Sequence, residues 1–207
     1  MTASREPLRV GVLASGRGSN VQALLDATHG SDFPARVVVV VSDRERAPAL
    51  ERAAAAGVEA VFLDPKAYGD RALYDAALLA CLERHRVELV CLAGFMRILS
   101  PGFVHSLEGR LINIHPSLLP AFPGLHAQRQ ALDDGAKVSG VTIHFVDDGV
   151  DTGPIIAQAS VPVRADDTEA ALSARILVEE HRLYPEVVRL FAERRLRLVG
   201  RRVVRDP

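Results

Sequence analysis

The chain has 207 residues, 48% of them apolar and 25% charged, with a formal net charge of −1. That length suffices for one sizeable core, most simply one domain, and the charge balance leaves no global basic field to hold nucleic acid. The two cysteines, Cys81 and Cys91, form neither a CxxC pair nor a disulfide framework, which fits a reducing compartment. Met1–Pro7 is polar, so no secretory signal is expected, and no apolar run approaches a membrane span. The cytoplasm is the default expectation.

Strand and helix signals alternate along the chain. Leu8–Ala14 reads as a strand and Asn20–Ala27 as a helix. Ala35–Ser42 holds five consecutive valines, the continuous apolar run of a strand buried on both faces. Ala47–Ala56 is Ala-rich and helical, with Gly57 in place to end it. Val58–Leu63 is a shorter strand. Asp70–Arg84 has helical periodicity, and Val87–Ala93 is another buried strand. Ser100-Pro101 opens a short helix with proline at its first position. Leu111–His115, Gly140–Val146 and Ile155–Val163 read as strands. Asp166 and Glu169 form a candidate capping pair for a long helix reaching about Ala192. Leu196–Val204 reads as a hairpin turning at Gly200-Arg201. This alternation predicts an α/β fold, a mostly parallel sheet with helices on both faces and ligands at the carboxyl ends of the strands.

The first βα junction, Ser15-Gly16-Arg17-Gly18-Ser19-Asn20, is a phosphate cradle in principle, because glycines allow a tight turn and a helix N-terminus presents free N–H groups. Val21 stands where a dinucleotide fingerprint needs its third glycine, and no Gly-Lys-Ser/Thr follows, so it is neither that motif nor a Walker A loop. A plain tight turn with Ser19 or Asn20 capping the helix is the competing reading.

In Leu111–His115, strand alternation puts Asn113 and His115 on one face and Ile112 and Ile114 in the core, and Pro116 ends the strand. An amide donor beside an imidazole suits chemistry at a carbonyl: the first stabilises an oxyanion and the second moves protons. Asp151, in the Gly-rich stretch Asp147–Pro154, could orient or charge the imidazole. Each residue also has an ordinary structural role open to it, a hydrogen-bonded histidine near a strand end and turn-forming Asn and Asp. His144 shares a strand face with Thr142 and is either a site wall or an exposed residue. His126 and His144 form no metal-ligand pattern, so no metal site is expected.

Four segments occur in one order and spacing: Ser15–Asn20, Leu92-Ala93-Gly94-Phe95-Met96-Arg97-Ile98-Leu99, Asn113-Ile114-His115-Pro116-Ser117-Leu118-Leu119-Pro120, and Asp147–Pro154. Together they resemble the folate-dependent glycinamide ribonucleotide formyltransferases of purine synthesis, from about Arg9 to Phe191. The third segment is shared with other formyltetrahydrofolate enzymes. The first, with Glu180-His181-Arg182-Leu183-Tyr184-Pro185, points to this group. Arg17 occupies a variable position of the loop, and Ala121 stands where a lysine is common.

The resemblance implies one Rossmann-like formyltransferase domain over residues 1–207, with 1–8 and about 196–207 peripheral. Its N-terminal part would bind the ribonucleotide, and its C-terminal part would bind folate and carry the chemistry. It implies 10-formyltetrahydrofolate as donor, no metal, small-molecule partners only, no nucleic acid or membrane, and a monomer or homodimer. Asn113, His115 and Asp151 would be catalytic. Gly18, Ser19 and Asn20 would hold the substrate phosphate and Glu180 its ribose hydroxyls. Arg71, Met96, Arg97, Ile98, Leu99, Asp147, Asp148, Gly149 and Val150 would line the folate site. A formyltetrahydrofolate hydrolase, another formyltransferase, or a nucleotide-binding module without formyl transfer remain as alternatives.

Overall fold

The computed structural model describes residues 6–206, so most of the expected peripheral segment 1–8 lies outside the described residues. Seven strands form one sheet: β1 (Leu8–Leu13), β2 (Ala35–Ser42), β3 (Glu59–Phe62), β4 (Leu89–Leu92), β5 (Leu111–His115), β6 (Val138–Phe145) and β7 (Ile155–Pro162), in the order β3-β2-β1-β4-β5-β6-β7. The four pairings from β3 to β5 are parallel, and β5–β6 and β6–β7 are antiparallel. Six helices cover it: α1 (Ser19–Thr28), α2 (Pro48–Ala55), α3 (Arg71–Arg84), α4 (Pro101–Ser106), α5 (Ala127–Asp133) and α6 (Glu169–Ala192).

The sheet separates two cores. Val10, Val12, Val37, Val40, Ile112 and Ile114 pack with α1, α2 and α6 residues such as Leu24, Ala49 and Tyr184. Leu13, Val39, Val41, Val90 and Leu111 pack on the other face with Tyr74 and Leu78 of α3 and Phe103 of α4. The valine run of β2 is divided between both cores, as expected of a strand covered on both sides.

Local chemistry explains the element ends. Past α2, the N–H of Gly57 reaches Ala54 O and that of Val58 reaches Ala53 O, with Gly57 at φ 70°, a left-handed helix end. Pro101 opens α4, with the Ser100 side chain accepting from Phe103 N. The C-terminal hairpin forms as expected, β8 (Leu196–Val199) and β9 (Arg202–Arg205) turning at Gly200-Arg201 in a separate two-stranded sheet.

Two helix starts differ from expectation. The N-cap of α6 is Thr168, whose hydroxyl accepts from Ala171 N, not the pair Asp166 and Glu169; Glu169 is already helical and binds Arg129 instead. The N-cap of α1 is Gly18 with φ 69° and no side-chain cap, so neither Ser19 nor Asn20 caps that helix. Helix α5 is not among the expected elements: its N-cap is His126, at φ 59° with no side-chain cap, so it lacks the start signal that Ser100-Pro101 gives the similarly short α4.

The strand order reverses between β1 and β4, where a doubly wound sheet opens a crevice at the strand ends. Here the loop after β1 is stitched to the loop after β4: Ser15 N donates to Gly94 O, and Met96 N to the Ser15 hydroxyl. Among the described residues no helix is long and apolar enough to cross a membrane.

Candidate active site

The antiparallel register of β5 and β6 sets Asn113 opposite His144 and His115 opposite Thr142. Four polar side chains, Asn113, His115, His144 and Asp151, thereby meet at the end of β5, nearly closed off from solvent. The Asn113 amide nitrogen is 3.2 Å from His144 Nε2 and donates to Asp151 Oδ1 at 3.3 Å. Asp151 Oδ2 lies 3.3 Å from His115 Nδ1 and accepts from Gly124 N at 2.8 Å. His115 Nε2 lies 2.8 Å from Phe122 O. Both ring nitrogens of His115 therefore face acceptors, and only the doubly protonated ring donates to both. His144 Nδ1 lies 2.8 Å from Phe145 O, and its Nε2 lies 3.2 Å from the Asn113 amide nitrogen and 3.5 Å from Asp151 Oδ1.

Asp151 sits at φ 55°, a left-handed conformation that Asp and Asn tolerate better than most residues. The turn around it is built tightly. The Asp147 carboxylate accepts from Gly149 N and the Thr152 hydroxyl, and a Cβ on Gly153 would stand 1.7 Å from Phe145 O. Burial raises the Asp151 carboxyl pKa. The His144 hydrogen bond, the Gly124 N–H and the positive charge of the two histidines more than offset it, so the net direction is down.

The loop from Pro116 to His126 is fixed from behind. The Thr142 hydroxyl donates to Ser117 O at 2.7 Å and accepts from Leu119 N and from the Gln158 amide. This staple places Phe122 O and Gly124 N against His115 and Asp151. Neither group carried a sequence signal, because backbone atoms have none. His144 did carry one, its alternation with Thr142, but only the strand register shows which way that face points.

A cavity of about 880 Å³ runs from the loop after β1 along α6, lined by Gly16 to Asn20, Gly94, Met96, Arg129 and Glu180 among others. Gly16 O accepts from Ala49 N, and Arg17 O from Arg52 Nε, so both carbonyls are turned toward α2. In a planar trans peptide the N–H points the opposite way, and the N–H groups of Ser19 and Asn20 are those a helix start leaves unpaired. A ready anion cradle results. Gly18 is needed for a second reason that sequence could not supply: besides its left-handed φ, a Cβ there would lie 2.6 Å from the Ala49 Cα.

At the far side of this cradle Asn20 donates to Glu180 Oε2 at 2.7 Å, joining residues 160 positions apart. Glu180 is 7% exposed; burial pushes its carboxyl up, and the Asn20 hydrogen bond and the Arg17 charge pull it part of the way back. One turn later on the same helix, the Tyr184 hydroxyl donates to Leu92 O at 2.9 Å, which fixes α6 over β4.

The structure brings Asn113, His115 and Asp151 together, and Gly18, Ser19, Asn20 and Glu180 line one cavity. The expected folate residues are more dispersed. Met96, Ile98 and Val150 expose large apolar surface. Arg97 lies over the Tyr74 ring at 4.8 Å, Asp148 pairs with His105 at 3.0 Å, and Leu99 is buried in the second core. Arg71 is exposed in the first turn of α3, with no contact to the catalytic cluster among the described residues. Nor do the described residues contain a group of three or more His, Cys, Asp and Glu side chains able to hold a metal ion.

Residues 8–188 match the formyl transferase family. The chain belongs to the formyl transferase family. Among its formyl transferase relatives, the phosphoribosylglycinamide formyltransferase of Escherichia coli is 46% identical over 191 residues, covering 92% of this chain and 90% of that protein. The trifunctional purine biosynthetic protein adenosine-3 of Drosophila melanogaster is 51% identical over 187 residues, 89% of this chain, although the match spans only 14% of that much longer protein. The crystal structure of glycinamide ribonucleotide transformylase 1 from Symbiobacterium toebii superposes with a TM-score of 0.95 at 56% identity, covering 97% of this chain and 95% of that one. The single α/β architecture with a mostly parallel seven-stranded sheet is that of the family.

Proposed function

We propose that this formyl transferase moves the formyl group of 10-formyltetrahydrofolate to the amino group of glycinamide ribonucleotide. The observation that carries the reading is the pairing of two sites at neighbouring strand ends: an anion cradle with a buried carboxylate beside the ends of β1 and β4, and an amide–imidazole–carboxylate cluster at the end of β5, the strand next to β4. The names of the relatives that match over most of both chains support the same acceptor and chemistry.

The loop N–H groups of Gly18, Ser19 and Asn20 receive the acceptor phosphate, and Glu180 receives its ribose hydroxyls, so the acceptor amine points toward β5. The exposed apolar side chains of Met96, Ile98 and Val150 offer walls for a flat folate ring, and the backbone of Asp147 to Asp151 offers polar groups for its edge. Arg71, Arg97, Leu99, Asp148 and Gly149 complete that half by resemblance. The N-terminal part thus holds the acceptor, and the C-terminal part the donor and the catalytic set.

In the reaction the acceptor nitrogen bonds to the formyl carbon, the bond from that carbon to the folate nitrogen breaks, and the amine's proton ends on the departing nitrogen. Asn113 donates its amide hydrogen to the oxygen that gains negative charge, exchanging a bond now made inside the cluster. His115, protonated on both nitrogens, adds positive charge there and supplies or relays the proton. Asp151 holds that protonated ring by opposite charge, and His144 orients Asn113. Much of the acceleration comes from holding two reactants in contact. Small-molecule partners, a cytoplasmic setting for two buried free thiols, and a monomer or homodimer complete the reading.

The test is formyl transfer by the purified protein, followed by the absorbance of the folate product with and without glycinamide ribonucleotide. Turnover that requires the acceptor is the expected result. Equal turnover without it identifies a hydrolase and overturns the proposal.

A further inference from the structure

The acceptor cavity carries one charged side chain that has no partner. Arg17 is exposed at the lip of the anion cradle, and its guanidinium makes no hydrogen bond or ion pair among the described residues. The other cations nearby are engaged. Arg52 is committed to Arg17 O at 3.0 Å and to the Gln22 side-chain oxygen at 3.1 Å. Arg129, on the far wall, pairs with Glu169 at 2.8 Å.

The cavity's charge balance requires something more. Glu180 is buried with one carboxylate oxygen on Asn20 and, among the described residues, no hydrogen-bond partner for the other, and it faces the same cavity. A bound phosphate monoester adds about −1.5 to −2 at neutral pH. Two anionic groups then share a space whose second cation is already neutralised by Glu169. Backbone N–H groups supply only partial charge. Arg17 is the full positive charge available to both, and its tether is rigid: the backbone of the loop is held to α2 through Gly16 O and Arg17 O, so only the side chain has to move.

We propose that Arg17 is a specificity-determining residue of the acceptor site, closing its guanidinium over the bound phosphate and setting the preference for a phosphorylated over an unphosphorylated acceptor. This rests on the functional reading above. A planar fork also suits phosphate oxygens, which it can meet with two parallel hydrogen bonds.

The experiment compares glycinamide ribonucleotide with the corresponding ribonucleoside as acceptors in the parent, Arg17→Ala and Arg17→Lys. Charge-assisted hydrogen bonds are worth about tenfold to a hundredfold in affinity, and an exposed arginine belongs at the lower end. Arg17→Ala is expected to raise the ribonucleotide KM about tenfold and the inhibition constant of inorganic phosphate by a similar factor. The kcat and the ribonucleoside KM should hold, and Arg17→Lys should fall between. Added salt should weaken ribonucleotide binding more in the parent than in Arg17→Ala. An equal loss with both acceptors means that Arg17 acts through the shape of the loop, and an unchanged ribonucleotide KM means that it does not touch phosphate; either overturns the proposal. Failure of the parent to formylate either acceptor overturns the functional reading instead.

Discussion

Replacing Asp151 by asparagine is the sharpest test of the catalytic cluster. Asparagine tolerates the left-handed backbone at φ 55° and keeps the size of the side chain, so the loop is expected to hold. The hydrogen bonding cannot all survive. One oxygen of Asp151 accepts from Gly124 N and faces His115; the other accepts from Asn113 and faces His144. An amide offers one oxygen and one donor, so whichever way it turns, its NH2 meets either Gly124 N–H or the Asn113 amide. The charge is lost as well. An opposite charge at 3.3 Å in a nearly closed site stabilises a positively charged ring by about 1.4–4 kcal/mol. The variant loses that stabilisation wherever the reaction puts positive charge on the His115 ring, so kcat should fall about tenfold or more. Steady-state turnover by folate absorbance, with the binding of both substrates measured in parent and variant, checks this. Lost activity with an equal loss of substrate binding would refute the electrostatic role and assign Asp151 to geometry. Normal turnover would remove it from the mechanism.

Four further outcomes are expected. Asn113→Ala should lower kcat about 10²–10³-fold while both substrates still bind, as for loss of one oxyanion donor; a kcat within a few fold of the parent by steady-state assay would sink that role. Glu180→Gln should raise the acceptor KM yet increase the thermal midpoint at neutral pH. The folded-state pKa of Glu180 is raised, so its contribution favours folding at low pH and is lost as pH rises through that value; calorimetry showing a lower midpoint would contradict this. Asp151 runs the opposite way. Its folded pKa is lowered, so its contribution is present above the ordinary carboxylate range and lost in acid as pH falls through that lowered value, and Asp151→Asn should flatten the acid limb of the parent's denaturation curve. Gly18→Ala should lower the thermal midpoint as well as acceptor affinity, because the Cβ would meet Ala49 at 2.6 Å; Asn20→Ala, read by acceptor KM against folate KM, is the cleaner probe of the cradle, and a rise confined to the folate KM would place the loop at the other substrate.

Much of this molecule is legible in consecutive residues. The five valines of β2, the Gly57 helix end, the Ser100-Pro101 helix start and the Gly200 hairpin turn are local steric and hydrogen-bonding preferences. So is the alternation that puts Asn113 and His115 on one face of β5. Other features depend on partners far away in the chain. His144 joins the site because β5 and β6 pair in one particular register, which is set by core packing on both faces. Phe122 O and Gly124 N reach the cluster because Thr142 and Gln158 staple their loop. Glu180 meets Asn20 across 160 positions because Tyr184 anchors α6 to β4. Gly18 is required by a contact with α2 as well as by its own backbone angle. Residue type and periodicity act over a few residues, so they select elements and name candidate chemistry. Which candidates touch, and with what charge around them, is decided by the non-local packing that sets strand order, register and the path of each loop.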